Sequence, residues 1–173
     1  MKDPDLLAAA EMIEAAVAAL TLDEIGQAYG AKWPIAGILE HLGKGYAGTA
    51  YILDKCAADG RARGVRPTPW QWFVSTLLLR LGYLPTGTRA PRVTVPEGIA
   101  PEAALRAARE GLRLLDDAVA RCSPIFDART RLANHPILGG LTLPEWVRFH
   151  RLHTRHHARQ IEARRTGMAR RQS

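Results

Sequence analysis

The chain is expected to fold as an all-α, up-down-up-down four-helix bundle with a long crossover that contains a short extra helix. Three observations lead there. Apolar residues recur at helical spacing in four long stretches, Pro- and Gly-rich connections separate those stretches, and no segment alternates as a convincing strand. With 173 residues, 47% of them hydrophobic, the chain is long enough to bury one core and too apolar to be disordered. A single domain is therefore placed over residues 1–165, and the basic residues 166–173 are expected to form a disordered tail.

The first helix falls in residues 5–20, where Leu6, Met12, Ile13, Ala16, Val17 and Leu20 make one apolar face in an Ala-rich segment. Thr21-Leu-Asp-Glu24 has the spacing of a capping box and predicts a short turn of helix before Gly30. Trp33-Pro34 opens the next helix, with proline in its first turn, and Ile35, Ile38, Leu42, Tyr46, Thr49 and Leu53 carry its apolar face to about Ala58. Gly43, Gly45 and Gly48 weaken that helix and suggest a closely packed neighbour. Gly60, Gly64, Pro67 and Pro69 mark a loop, Trp70 to Leu81 a short helix, and Gly82 to Gly98 an irregular connection with three prolines. A connection this long is expected to cover something or shape a pocket. Pro101 starts a helix in which Leu105, Ala108, Leu112, Leu115 and Val119 repeat at 3-4-3-4 spacing, and Ser123-Pro124 ends it. The loop from Asn134 to Gly140 leads to Thr142-Leu-Pro-Glu145, a second capping box and the start of the last helix.

Composition narrows the function classes. No apolar run reaches 18 residues, so no membrane span is expected, and the N-terminus does not read as a signal peptide. Two cysteines, Cys56 and Cys122, lack CxxC spacing and cannot form a disulfide framework, which suits a reducing cytoplasm. The net charge of +7 raises the question of nucleic acid. The positive charge gathers after Arg148 with no recognition motif beside it, so a solvated helix face is the better reading and nucleic acid is not the expected partner.

The last helix carries the chemistry. Four of the six histidines lie between His150 and His157. At roughly 100° per residue, Trp146, His150, His153, His157 and Ile161 share one stripe, with Gln160 at its edge and Arg148, Arg151, Arg155 and Arg159 opposite. An inward stripe of imidazoles needs partners, and a metal ion is the simplest. His153 and His157, four apart, can present two nitrogens to one ion, but a stable site needs a third ligand. His41 is the best donor from another helix, although a shoulder position like its own more often holds a half-exposed residue.

These residues resemble a known family. Lys32-Trp33-Pro-Ile-Ala-Gly-Ile-Leu39-Glu-His41-Leu42 is similar to the tryptophan and leucine-x-histidine-leucine motif of the DinB-like (YfiT-like) superfamily. His135-Pro136-x-x-Gly139, the Leu-Thr-x-x-Glu-Trp146 that follows, and His153-x-x-His156-His157-x-x-Gln160 resemble a DinB-related subgroup known only as a domain of unknown function. The matches span residues 33–160. The resemblance implies a four-helix bundle, often dimeric, with a divalent metal on one histidine of the second helix and a His-x3-His pair of the last, here His41, His153 and His157. Zinc is first among the candidate ions, with nickel or another divalent ion as alternatives. Members include S-transferases that use mycothiol, bacillithiol or glutathione, a mycothiol-dependent isomerase, and proteins described as metal-dependent hydrolases.

The leading expectation is a cytoplasmic, homodimeric, metal-dependent enzyme acting on a small molecule, with a low-molecular-weight thiol as co-substrate. A metal-dependent hydrolase and a non-catalytic metal- or ligand-binding module are the alternatives. No glutamate stands near the histidine pair as in HExxH proteases, and Glu40 is read as lying on the polar side of its helix, so His135 is the candidate if the chemistry needs a protein base; in its proline-bounded loop it reads equally as a substrate contact or a turn residue. His150 reads as a core histidine, a neighbour supporting a ligand, or a further ligand. His156 reads as interfacial, and Gln160 orients His157 or a bound water, or packs between helices. Trp33 and Trp146 read as core or pocket wall, and Trp70 and Trp72 as packing or cleft lining.

Overall fold

A computed structural model of the chain describes residues 1–82 and 90–172, the last five of them as backbone alone. Six helices and one hairpin follow in order: α1 (Pro4–Val17), α2 (Leu22–Gly26), α3 (Ile35–Asp59), α4 (Pro69–Leu81), α5 (Pro101–Cys122), β1 (Arg131–His135), β2 (Gly139–Thr142) and α6 (Leu143–Gln172). Local chemistry sets most of the starts. Asp3 accepts from the Asp5 and Leu6 amides at the head of α1. Both expected capping boxes form: Thr21 and Glu24 open α2, and Thr142 and Glu145 open α6. A third, Thr68 with Gln71, opens α4. Pro34 is the N-cap of α3, one position before the first turn expected of it. The last helix runs on through Gln172, beyond the boundary expected at residue 165.

The all-α bundle is built from α1, α3, α5 and α6, and contacts fix how its helices run. Gly43 lies against Ala107, Tyr46 against Gly111, and Asp54 pairs with Arg121, so α3 and α5 are parallel. The amides of Lys2 and Asp3 donate to Asp116 while Glu14 pairs with Arg109, so α1 is antiparallel to α5. His41 meets His153 and His157, while Thr49 meets His150, so α6 is antiparallel to α3. The order is thus up-down-down-up, where up-down-up-down was expected. The long connection permits this: two parallel helices in sequence need a return along the bundle, as in bundles with long crossovers. Of that connection, residues 83–89 lie outside the described residues. The rest is α4, irregular chain and one 3-10 turn over Arg92–Thr94.

The parallel pair explains the glycines. A Cβ on Gly43 would stand 2.7 Å from the Ala107 carbonyl carbon, and one on Gly111 would stand 2.7 Å from the Gly43 oxygen. Both backbones need that space. Gly45 and Gly48 have no such neighbour.

The hairpin corrects the expectation of a strandless loop. Residues 131–142 pair antiparallel, His135 opposite Gly139 and Asn134 opposite Gly140. Gly139 turns the chain at φ 76°, in the left-handed region that glycine enters without a Cβ penalty. Leu132, Leu138 and Leu141 are buried beneath it. The chain after α3 covers the hairpin edge, Arg63 and Gly64 donating to the Leu132 and Arg131 carbonyls. Among the described residues, no helix is long and apolar enough to cross a membrane.

Candidate metal centre

Two helices meet at the predicted histidines. On α3, His41 is buried, 5% exposed. Its Nε2 lies 3.2 Å from His153 Nε2, which lies 3.0 Å from His157 Nε2. The three residues are the one group among those described whose donor atoms, all within 4.8 Å of one another, could hold an ion. A tetrahedral ion with bonds of about 2.0–2.1 Å would separate its ligand nitrogens by about 3.3 Å, so the spacing fits.

The proton inventory fits as well. His41 Nδ1 donates to the Thr94 carbonyl at 2.9 Å, and His157 Nδ1 donates to Gln160 Oε1 at 2.9 Å. Each ring, when neutral, therefore presents a bare Nε2. His153 can supply one hydrogen to one neighbour, which leaves at least one nitrogen facing another with nothing between. Protonation is a costly remedy. Burial pushes the His41 pKa down and the His157 pKa to about 3. It drives His153 well below its ordinary value, and the neighbouring His157 and His41 add to that. A shared cation is what three converging, neutral lone pairs accommodate.

The supports were only partly visible beforehand. Gln160 accepts from His157 and donates to His156 Nε2 at 2.9 Å, so it orients His157, as one of its readings has it. Thr94 was not singled out, because its contribution is a backbone carbonyl with no side-chain signature. Glu40, read as lying on the polar side, is 1% exposed and accepts from the amides of Glu97, Gly98 and Ile99. Arg164, part of the positive charge after Arg148 that reads as a solvated helix face, is buried, donating to the Trp33 and Gln160 carbonyls at 2.9 Å each. It ties the far end of the histidine helix to the start of α3. Trp33 forms a wall, its ring 5.3 Å from that of His41.

His135 is not brought into the cluster. Its Nδ1 accepts from the Ile137 and Leu138 amides at 3.2 Å each, closing the hairpin turn, so in the neutral ring Nε2 carries the hydrogen. Burial lowers its pKa to about 4. Its ring packs 4.6 Å from Phe149, which stacks in turn on His153 at 5.3 Å. In that state it has no free lone pair with which to act as a base.

His150 sits one turn before His153 in a separate polar layer. Its Nε2 pairs with Thr49 Oγ1 at 2.9 Å, and its Nδ1 is buried without a partner among the described residues, as is Trp146 Nε1. Tyr46 and Thr154 complete the layer, their hydroxyls 2.5 Å apart. His150 is thus a core histidine. The arginine face is partly spoken for: Arg148 donates to the Leu79 carbonyl and Arg151 pairs with Asp5 at 2.7 Å. Trp70 and Trp72 do not pack in the core; they are 70% and 59% exposed on α4.

A helical bundle with three inward histidines on two antiparallel helices defines a class of protein able to hold a metal ion between those helices. The chain belongs to the DinB superfamily, whose family model matches residues 5–161. No curated protein and no solved structure matches it.

Proposed function

We propose that the protein is a metal-dependent enzyme that transfers a low-molecular-weight thiol to a small electrophilic molecule, with zinc as its ion. The observation that carries this reading is the donor set: three neutral imidazoles and no carboxylate or fourth protein ligand among the described residues. Such a set leaves the charge of a divalent ion uncompensated, and a bound ion would supply the Lewis acidity that lowers the pKa of a thiol or water.

The surrounding residues favour a thiol. A thiol's ordinary pKa of about 8.5 means it needs only the nearby cation to lose its proton. Water starts near 15.7 and a hydrolytic step calls on acid–base help from the protein. Among the described residues the candidates are engaged elsewhere: Glu40 by the crossover, Glu145 by the α6 capping box, and His135 Nδ1 by its own turn. His41, His153 and His157 would hold the ion, Thr94 and Gln160 fix the two outer rings, and Trp33 and Phe149 wall the site. In the transfer, sulfur forms the new bond to carbon, the leaving group departs with the bonding pair, and the thiol proton passes to solvent.

The test is metal content of protein purified without a polyhistidine tag, followed by cobalt substitution. Near-stoichiometric metal, lost in His153→Ala and His157→Ala, with a cobalt spectrum that shifts on adding thiol, is the expected result. A wild type that takes up no metal, or a cobalt spectrum indifferent to thiol, would overturn the proposal.

A further inference from the structure

Residues 40–44 grip one stretch of the crossover repeatedly. The Glu40 carboxylate accepts from the Glu97 amide at 2.8 Å, the Gly98 amide at 3.0 Å and the Ile99 amide at 3.3 Å. Lys44 Nζ pairs with that carboxylate at 2.9 Å and donates to the Val95 carbonyl at 3.0 Å and to Glu97 at 2.9 Å. His41, next in sequence to Glu40, donates to the Thr94 carbonyl. A carboxylate buried to this degree is costly unless its lone pairs are filled, and here four donors fill them. The three amides are consecutive in irregular chain, so the carboxylate replaces partners that regular secondary structure would have supplied.

We propose that Glu40 is a positioning residue for the metal centre, anchoring residues 97–99 so that the Thr94 carbonyl is held on His41 Nδ1. This rests on the reading that His41, His153 and His157 hold a divalent ion. Only Val95 and Pro96 separate Thr94 from the anchored amides. Val95 is itself tied back through its amide to Arg92 and through its carbonyl to Lys44, and Pro96 packs against the Gly37 position. On the other side, among the described residues, Thr94 is held by the single 3-10 turn to Pro91. Released at 97–99, the stretch keeps the Lys44 bond to the Val95 carbonyl and the Pro96 packing but loses its three-amide anchor. The loop gains part of the freedom whose loss it now bears, so the Thr94 carbonyl is held less firmly on His41. His41 would then lose the acceptor that keeps its hydrogen on Nδ1 and its bare Nε2 toward His153. Partners behind a ligating histidine act on affinity in this way.

The experiment is zinc affinity by chelator competition on the full chain, with the cobalt spectrum as a second readout, for wild type, His153→Ala, Glu40→Gln and Lys44→Met. Glu40→Gln keeps the size of the side chain but puts an amide, half of which cannot accept, before three N–H groups. A loss of about 10- to 100-fold with an altered cobalt spectrum is expected. Lys44→Met, at a half-buried position, removes one support of the same strap and is expected to lose about 2- to 10-fold. If wild type takes up no zinc, or His153→Ala binds as well as wild type, the metal reading itself fails. If those two behave as expected and Glu40→Gln melts lower without zinc yet binds it as tightly as wild type, Glu40 is merely structural and the inference is overturned. Should Glu40→Gln not fold, Lys44→Met decides alone: weakened binding supports the strap, and wild-type affinity removes it.

Discussion

Gln160 offers a sharp perturbation of the histidine cluster because it lies outside the three converging nitrogens and yet acts on His157 through one bond. His157 is 7% exposed, and Gln160 Oε1, at 2.9 Å, is the acceptor for its Nδ1–H. Gln160→Leu keeps the bulk and removes the acceptor. The ring is then free to move its hydrogen to Nε2, aimed at His153 3.0 Å away, and to bind an ion it must return that hydrogen to a buried, unpartnered Nδ1. Leaving a buried donor unpaired costs about 1–3 kcal/mol. At about 1.4 kcal/mol per factor of ten, that is a loss in metal affinity of roughly 5- to 150-fold. Chelator competition at neutral pH measures it, with the melting temperature of metal-free protein as the check that the fold survives. An affinity within about twofold of wild type, in a variant that folds, would refute the claim that the tautomer is set by Gln160.

Two further predictions concern the fold. Gly43→Ala should destabilise by about 1–3 kcal/mol, because its Cβ meets the Ala107 backbone, which cannot yield as a side chain would. Gly48→Ala, in the same helix with nothing within 4 Å, should stabilise by about 0.5–1 kcal/mol; chemical denaturation of both variants checks the opposite signs, and like signs would discredit the parallel α3–α5 contact. His150 gives a pH prediction. Burial holds its folded pKa down at about 3, so between its ordinary value near 6.5 and that value the unfolded chain binds the extra proton. Its contribution is complete above about pH 6.5 and is lost as pH falls toward 3, with a slope of up to about 1.4 kcal/mol per pH unit. Denaturation of metal-free His150→Leu between pH 7 and 4 should show a shallower slope than wild type, and an equal slope would mean that His150 is not held neutral.

What the sequence disclosed follows from the range of each interaction. Helix starts are local events, so Thr21 with Glu24 and Thr142 with Glu145 could be read from spacing alone. The histidine stripe was equally legible, because period 3.6 decides which side chains share a face before any neighbour is known. The direction of α5 relative to α3 was not, since the contacts between Gly43 and Ala107 and between Asp54 and Arg121 join residues more than sixty apart. The hairpin escaped notice because its turn rests on one glycine and its pairing on a few residues. Glu40 and Arg164 were misjudged for a common reason: a charge was assigned to solvent, and only the fold supplies the backbone partners that let it be buried.

The topology and the histidine cluster share one cause. Because α3 and α5 are parallel, the chain leaving α3 at Asp59 must travel back to begin α5 at Pro101, beside the end of α3 that carries His41. An antiparallel pair could have been joined by a short loop at the opposite end, and no backbone would then arrive behind the His41 ring. The return brings the Thr94 carbonyl and the amides of residues 97–99 to a site where α3 presents an imidazole donor and, one residue earlier, a carboxylate acceptor. The Glu40 carboxylate and the His41 Nδ1–H find partners in residues 94–99, and the amides of residues 97–99 and the Thr94 carbonyl find theirs in Glu40 and His41. A shortened connection that spanned the same distance without residues 94–99 should therefore leave the bundle foldable only if Glu40 were also made apolar, and should leave His41 without the acceptor that fixes its tautomer.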